Sequence, residues 1–118
     1  MELGLKNKSV IVTAASGGLG FSIAKCFAAE GADVTVSGRN PDRLDEAVSL
    51  LEGCGPGTVQ GVICDVTSPE QSVNLVERVA GERGLDIIVA NSAGADTAPF
   101  VEMSDEMWRA AAETKVFA

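Results

Sequence analysis

Four short apolar runs, each followed by a longer stretch of helical periodicity, leave this chain few ways to fold. The runs are Ser9 to Ala14, Val34 to Ser37, Thr58 to Cys64 and Leu85 to Ala90. Their length and lack of alternation suit strands buried on both faces. A helix is predicted from Gly18 to Glu30, with Leu19, Ile23 and Phe27 on its buried stripe and Gly31 closing it. Asn40-Pro41 opens a second helix, whose stripe is Leu44, Ala47, Val48 and Leu51. Ser68-Pro69-Glu70-Gln71 reads as a capping box, with Val73, Val76 and Val79 or Ala80 turned inward behind it. A last helix starts after Ser104, with Met103 and Trp108 placed for a hydrophobic staple across its N-cap. No Asn-Gly hairpin signal separates the runs. The pattern is that of an α/β fold with a doubly wound parallel sheet, in one domain spanning residues 1–118.

Composition narrows the partners. Hydrophobic residues make up 46% of the chain but aromatics only 4%, so the core is expected to be Val, Ile, Leu and Ala. Seventeen acidic residues against nine basic ones give a net charge of −8, which argues against a nucleic-acid partner. Three cysteines, Cys26, Cys54 and Cys64, form no C-x-x-C pair, so neither a disulfide framework nor a zinc site is indicated. Histidine, the commonest general base and zinc ligand, is absent. No run approaches the ~20 apolar residues of a membrane span, and Met1 to Lys6 lacks the apolar region of a secretory signal. The reading is a cytoplasmic protein with no membrane partner.

The first strand-to-helix turn, Thr13-Ala14-Ala15-Ser16-Gly17-Gly18-Leu19-Gly20, is where chemistry enters. Cofactor phosphates need backbone N–H groups and the positive end of a helix, and side chains obstruct that approach. Gly18 and Gly20 keep the approach open, although Ile23 stands where a strict G-x-G-x-x-G would have its third glycine. The second strand ends at Ser37-Gly38-Arg39, where dinucleotide folds read the ribose. A carboxylate there would hold a 2′-hydroxyl; a guanidinium pairs with a 2′-phosphate. Arg39 therefore favours NADP(H) over NAD(H), the plainer alternative being a solvated loop arginine.

With these motifs in place the chain resembles the N-terminal half of the short-chain dehydrogenase/reductase family. That family's Thr-Gly-x-x-x-Gly-x-Gly motif matches Thr13 to Gly20, with Ala14 in place of the first glycine. Asp65-Val66 matches its adenine contact, and Asn91-Ser92-Ala93-Gly94 matches its Asn-Asn-Ala-Gly, with Ser92 replacing one Asn. The resemblance implies a Rossmann-type sheet and a cofactor set of Thr13, Ala15, Ser16, Gly18, Leu19, Gly20, Arg39, Asp65, Val66, Asn91, Ala93 and Gly94. Within that set Thr13 is expected to brace the turn, Asp65 has a turn-capping alternative, and Asn91 is expected to hold the sheet as well as line the site. The extra methyl of Ala14 is expected to be tolerated provided its torsions are not left-handed.

The family's chemistry uses a Ser, a Tyr-x-x-x-Lys pair and a helical Asn. This sequence has no tyrosine, and the helical Asn falls at Lys115. That exchange is expected to break the proton relay, although an ammonium can hold a water; the alternative is a frayed terminal residue. The chain is thus expected to be a sheet truncated after about four strands, the cofactor-binding half of an NADP-preferring oxidoreductase, inactive alone. A binding module without activity and a non-enzymatic remnant are the alternatives. Leu85 to Ala90 is expected to form a long apolar edge, open to homo-oligomer or edge-strand association.

Overall fold

The computed structural model describes residues 2–92 and 99–116. Its elements run β1 (Ser9–Val12), α1 (Gly18–Ala29), β2 (Asp33–Gly38), α2 (Pro41–Glu52), β3 (Val59–Ile63), α3 (Pro69–Arg83), β4 (Ile87–Val89), a 3₁₀ turn (Phe100–Glu102) and α4 (Asp105–Lys115). The four strands form one sheet in the order β3-β2-β1-β4. All three pairings are parallel, with Val10 beside Val34 on one side and Ile87 on the other. Parallel neighbours need crossovers, and the helices supply them. This is a Rossmann-like α/β sheet.

Alternation along the strands divides the core between the two faces. Val10, Val12, Val34 and Val36 face α1 and α2, packing with Ala24, Ala28, Leu44 and Leu51. Ile11 and Cys64 face the other way, against Leu75 and Val79 of α3. The sheet is therefore covered on both sides, which is what doubly wound means physically.

The helix starts follow the sequence. Asn40 and Ser68 accept hydrogen bonds from the backbone N–H of Arg43 and Gln71, each followed by proline, and Ser104 accepts from Met107. Gly31, at φ +84°, follows the cap residue Glu30 of α1.

The buried stripes of two helices differ from expectation. On α1 the buried residues are Gly20, Ala24 and Ala28; Leu19 is 70% exposed, and Ile23 and Phe27 only border the core. Small side chains let the helix axis lie close to the sheet, and that close approach takes precedence over the larger apolar stripe. On α3, Leu75 and Val79 are buried, while Val73 is exposed, because a stripe through Leu75 meets Ile11 and Cys64. The capping box is half-formed: Ser68 caps Gln71, but the Gln71 side chain accepts from the N–H of Asp65 instead of reaching back to Ser68. Phe100 meets Trp108 edge-to-face with ring centroids 6.1 Å apart, a contact the staple reading overlooked. Finally, β4 has three residues where six were expected, so the apolar edge is short.

Candidate functional site

The candidate site lies beyond the carboxyl ends of β1, β2 and β3, in a cavity of about 700 Å³. Ala14, Ser16, Gly17, Gly38, Arg39, Asn40, Arg43, Cys64, Asp65, Val66 and Thr67 are among its lining residues. Ligands of open α/β sheets bind at this end because the loops there leave a crevice.

The turn after β1 is held from both sides. The N–H of Ala15 donates to the Ser37 carbonyl at 2.8 Å, and that of Ala14 to the Ser37 hydroxyl at 3.3 Å. From the β4 side, Asn91 Nδ2 donates to the Ala14 carbonyl at 3.2 Å. The Thr13 hydroxyl donates to the Asn91 carbonyl at 2.6 Å and accepts from the Asn91 N–H at 2.8 Å. Thr13 and Asn91 thus tie the turn to the segment after β4.

Within the turn Ala14 adopts φ +49° and Gly18 φ +60°. Ala14 is left-handed, so the condition on which its methyl was expected to be tolerated is not met; the Ser37 and Asn91 hydrogen bonds hold it there. A Cβ on Gly18 would meet nothing within 4 Å, so space lies open beside it. A Cβ on Gly20 would stand 2.6 Å from the Ala14 carbonyl oxygen and 2.8 Å from Asn91 Nδ2. Gly20 therefore serves the close packing of α1 on the end of β1, the task of the third glycine in the G-x-G-x-x-G pattern. The N-cap of α1 is Gly17, with no side-chain cap, which leaves first-turn N–H donors for a ligand.

The charges in the cavity are two guanidinium groups, Arg39 and Arg43, and one carboxylate, Asp65. Asp65 Oδ1 accepts from the Thr67 hydroxyl at 2.7 Å and from its N–H at 2.9 Å. These two bonds, first the hydroxyl and then the amide, hold the Asp65 carboxyl below the usual carboxylate range; burial opposes them slightly, and the Arg39 charge assists. The turn-capping reading of Asp65 is thus part of its structure, and it leaves the other carboxylate oxygen for the cavity. Burial pushes the Cys64 thiol up, partly offset by a hydrogen bond with Ser72, so it is protonated at neutral pH.

Most of the predicted residues fall into three groups; Gly18, at the start of α1, lines neither of the two larger cavities. Ser16, Arg39, Asp65 and Val66 meet in the large cavity. Ala15 is fully buried beneath it with its N–H committed to Ser37, Gly20 is buried in the first turn of α1 against the β1 turn, and Leu19 points to solvent. Thr13, Asn91 and Lys115 line a second cavity of about 380 Å³ between β1, β4, α3 and α4, which Val66 also borders. There Lys115 Nζ lies 3.4 Å from the Ser92 carbonyl, so Lys115 ends α4 in a hydrogen bond to the segment after β4. Ala93 and Gly94 lie outside the described residues. Sequence reasoning missed Ser37, Arg43, Thr67 and Gln71. Ser37 carried a signal, a polar residue inside an apolar run; Arg43 carried its spacing, one helical turn past Arg39.

Residues 8–118 match the family model described as short chain dehydrogenase. The chain is 40% identical over 106 residues to (5R,7aS)-5-hydroxy-7a-methyl-1-oxo-2,3,5,6,7,7a-hexahydro-1H-indene-carboxyl-CoA reductase of Mycobacterium tuberculosis, covering 88% of this chain and 40% of that relative. Among solved structures it is similar to a short chain dehydrogenase from Mycobacterium smegmatis, with TM-score 0.87, 38% identity, and coverage of 96% of this chain and 48% of the other. It is also similar to L-sorbose reductase from Gluconobacter frateurii complexed with NADPH and L-sorbose, with TM-score 0.88, 35% identity, and coverage of 99% and 45%. The chain thus spans less than half the length of these relatives.

Proposed function

The chain belongs to the short-chain dehydrogenase family, and we propose that its large cavity holds NADP(H) in preference to NAD(H), as the cofactor-binding part of an oxidoreductase. The observation that carries this reading is Arg39, which follows β2 directly and lines the cavity where Ser37-Gly38-Arg39-Asn40 offers no acidic residue for a ribose 2′-hydroxyl. The cavity suits a dinucleotide: Arg39, Arg43 and Asp65 line it, it is bordered by the uncapped start of α1, and open space lies beside Gly18. Ser16, Gly17 and Gly18 would face phosphate, Arg39 a 2′-phosphate, and Asp65 and Val66 the adenine; Asn91, Ala93 and Gly94 would border the nicotinamide side. When bound, the nicotinamide supplies the hydride chemistry. What these residues do is bind and orient it; with no tyrosine among the 118, they do not supply the family's phenolic acid–base group. The three unpaired thiols suit a reducing compartment such as the cytoplasm.

Titrating the chain with NADPH and NADH by fluorescence tests the reading. Tighter binding of NADPH is expected, with Arg39→Ala weakening it by about 1–3 kcal/mol, as for a charge-assisted hydrogen bond, and leaving NADH little changed. Equal affinities, or no binding of either, would reject it.

A further inference from the structure

We propose that Arg43 is a second specificity-determining residue of the large cavity, closing on a 2′-phosphate from the side of the glycine turn while Arg39 meets it from the end of β2. This rests on the reading of that cavity as a dinucleotide site.

The geometry starts at Gly17. Its backbone is fully extended, φ −170° and ψ −179°, which any residue adopts. A Cβ built there would meet one atom within 4 Å, Arg43 Nη2 at 3.1 Å. The space a side chain would occupy above the turn is therefore taken by the Arg43 guanidinium. The root of that side chain is fixed: Arg43 is the third residue of α2, behind Pro41, and its N–H donates to Asn40 Oδ1 at 3.1 Å. The backbone at its root is thus set by the cap, and the planar fork loses less freedom per hydrogen bond formed than an ammonium would.

Charge supports the same assignment. Among the described residues the ion pair within 4 Å is Arg78 with Glu82, so both cavity arginines are without one. Glu46 borders a small groove with Arg43 but makes no ion pair with it. The cavity's one carboxylate among the described residues, Asp65, is near enough to feel the Arg39 charge, which leaves a net positive charge from the two guanidinium groups. A dianionic phosphomonoester between them satisfies both forks, whereas the hydroxyl of an unphosphorylated ribose satisfies neither.

The test is calorimetric titration of the full chain and of Arg43→Ala, Arg43→Lys, Arg39→Ala and the double variant with NADP+ and NAD+, alongside the melting temperature without ligand. Arg43→Ala is expected to weaken NADP+ at least tenfold and NAD+ less than twofold, with Lys restoring part of the loss. The double variant is expected to bind the two dinucleotides alike. If Arg39→Ala is selective for NADP+ but Arg43→Ala weakens both dinucleotides equally, or neither, the role of Arg43 is overturned and the cofactor reading stands. If the unaltered chain does not prefer NADP+, or binds neither dinucleotide, both fall. Should Arg43→Ala fail to fold, Arg43→Lys decides alone: a loss confined to NADP+ supports the role, and an equal loss overturns it.

Discussion

Ala14 sits at φ +49°, a torsion that costs an L side chain about 1–2 kcal/mol. Glycine would relieve that strain and lose about 0.5–1 kcal/mol to its freer unfolded state. Ala14→Gly is therefore expected to stabilise the chain by roughly 0.5–1 kcal/mol, read as a higher urea midpoint at unchanged slope. An unchanged or lower midpoint would refute the strain. The sequence marked this position as a departure from its motif but did not disclose the torsion. The φ at Ala14 is set by partners far away in the chain, the Ser37 hydroxyl and the Asn91 amide. Asp65 shows the same limit: its place after β3 was legible, yet its grip on Thr67 and the hold of Gln71 on its N–H were not. The capping pattern named the Ser68 N–H as the partner of Gln71, but that N–H donates to the Asp65 carbonyl at 3.0 Å.

Helix α1 shows how an element can be legible in its ends and illegible in its face. Its start and stop followed from the turn glycines and Gly31, and the other helices likewise declared their caps. Its buried stripe did not, because a search for large apolar residues finds Leu19, Ile23 and Phe27, while close contact with a sheet selects Gly20, Ala24 and Ala28. The ends of β1, β3 and β4 drew in by one or two residues for a related reason, since apolar character continues beyond the last ladder hydrogen bond. Gly20 is where the packing is least forgiving. Gly20→Ala would drive a methyl against the Ala14 carbonyl and the Asn91 amide, both of them fixed parts of the turn. It is expected to cost about 1–3 kcal/mol of stability, as overpacking does, and to weaken dinucleotide binding as the turn shifts. Gly18→Ala meets no atom and bears only its torsion. Equal stability of Gly20→Ala and the unaltered chain in denaturant would contradict the packing described.

At the scale of the molecule, one edge of the sheet is β3 and the other is β4, whose Ile88 is 50% exposed. A short edge is a weaker template for pairing than the six-residue run the sequence suggested. Weak, concentration-dependent self-association is expected, suppressed by Ile88→Lys; light scattering that finds the unaltered chain monomeric at every concentration would exclude it. The motifs at the strand ends were legible because each lies in a short turn, read within a few residues. Arg43 was not, since its tie to Gly17 crosses from α2 to the β1 turn. That turn is pinned on one flank by Ser37 and on the other by Asn91, so its ordering entropy is met when the chain folds. A ligand entering it would have little backbone left to freeze, which removes one of the costs of binding. The same pins make occupancy and folding one linked equilibrium. A ligand seated in the turn would favour the state in which β1, β2 and β4 are held together, and a chain that loses those pins loses the shape of the turn in the same event.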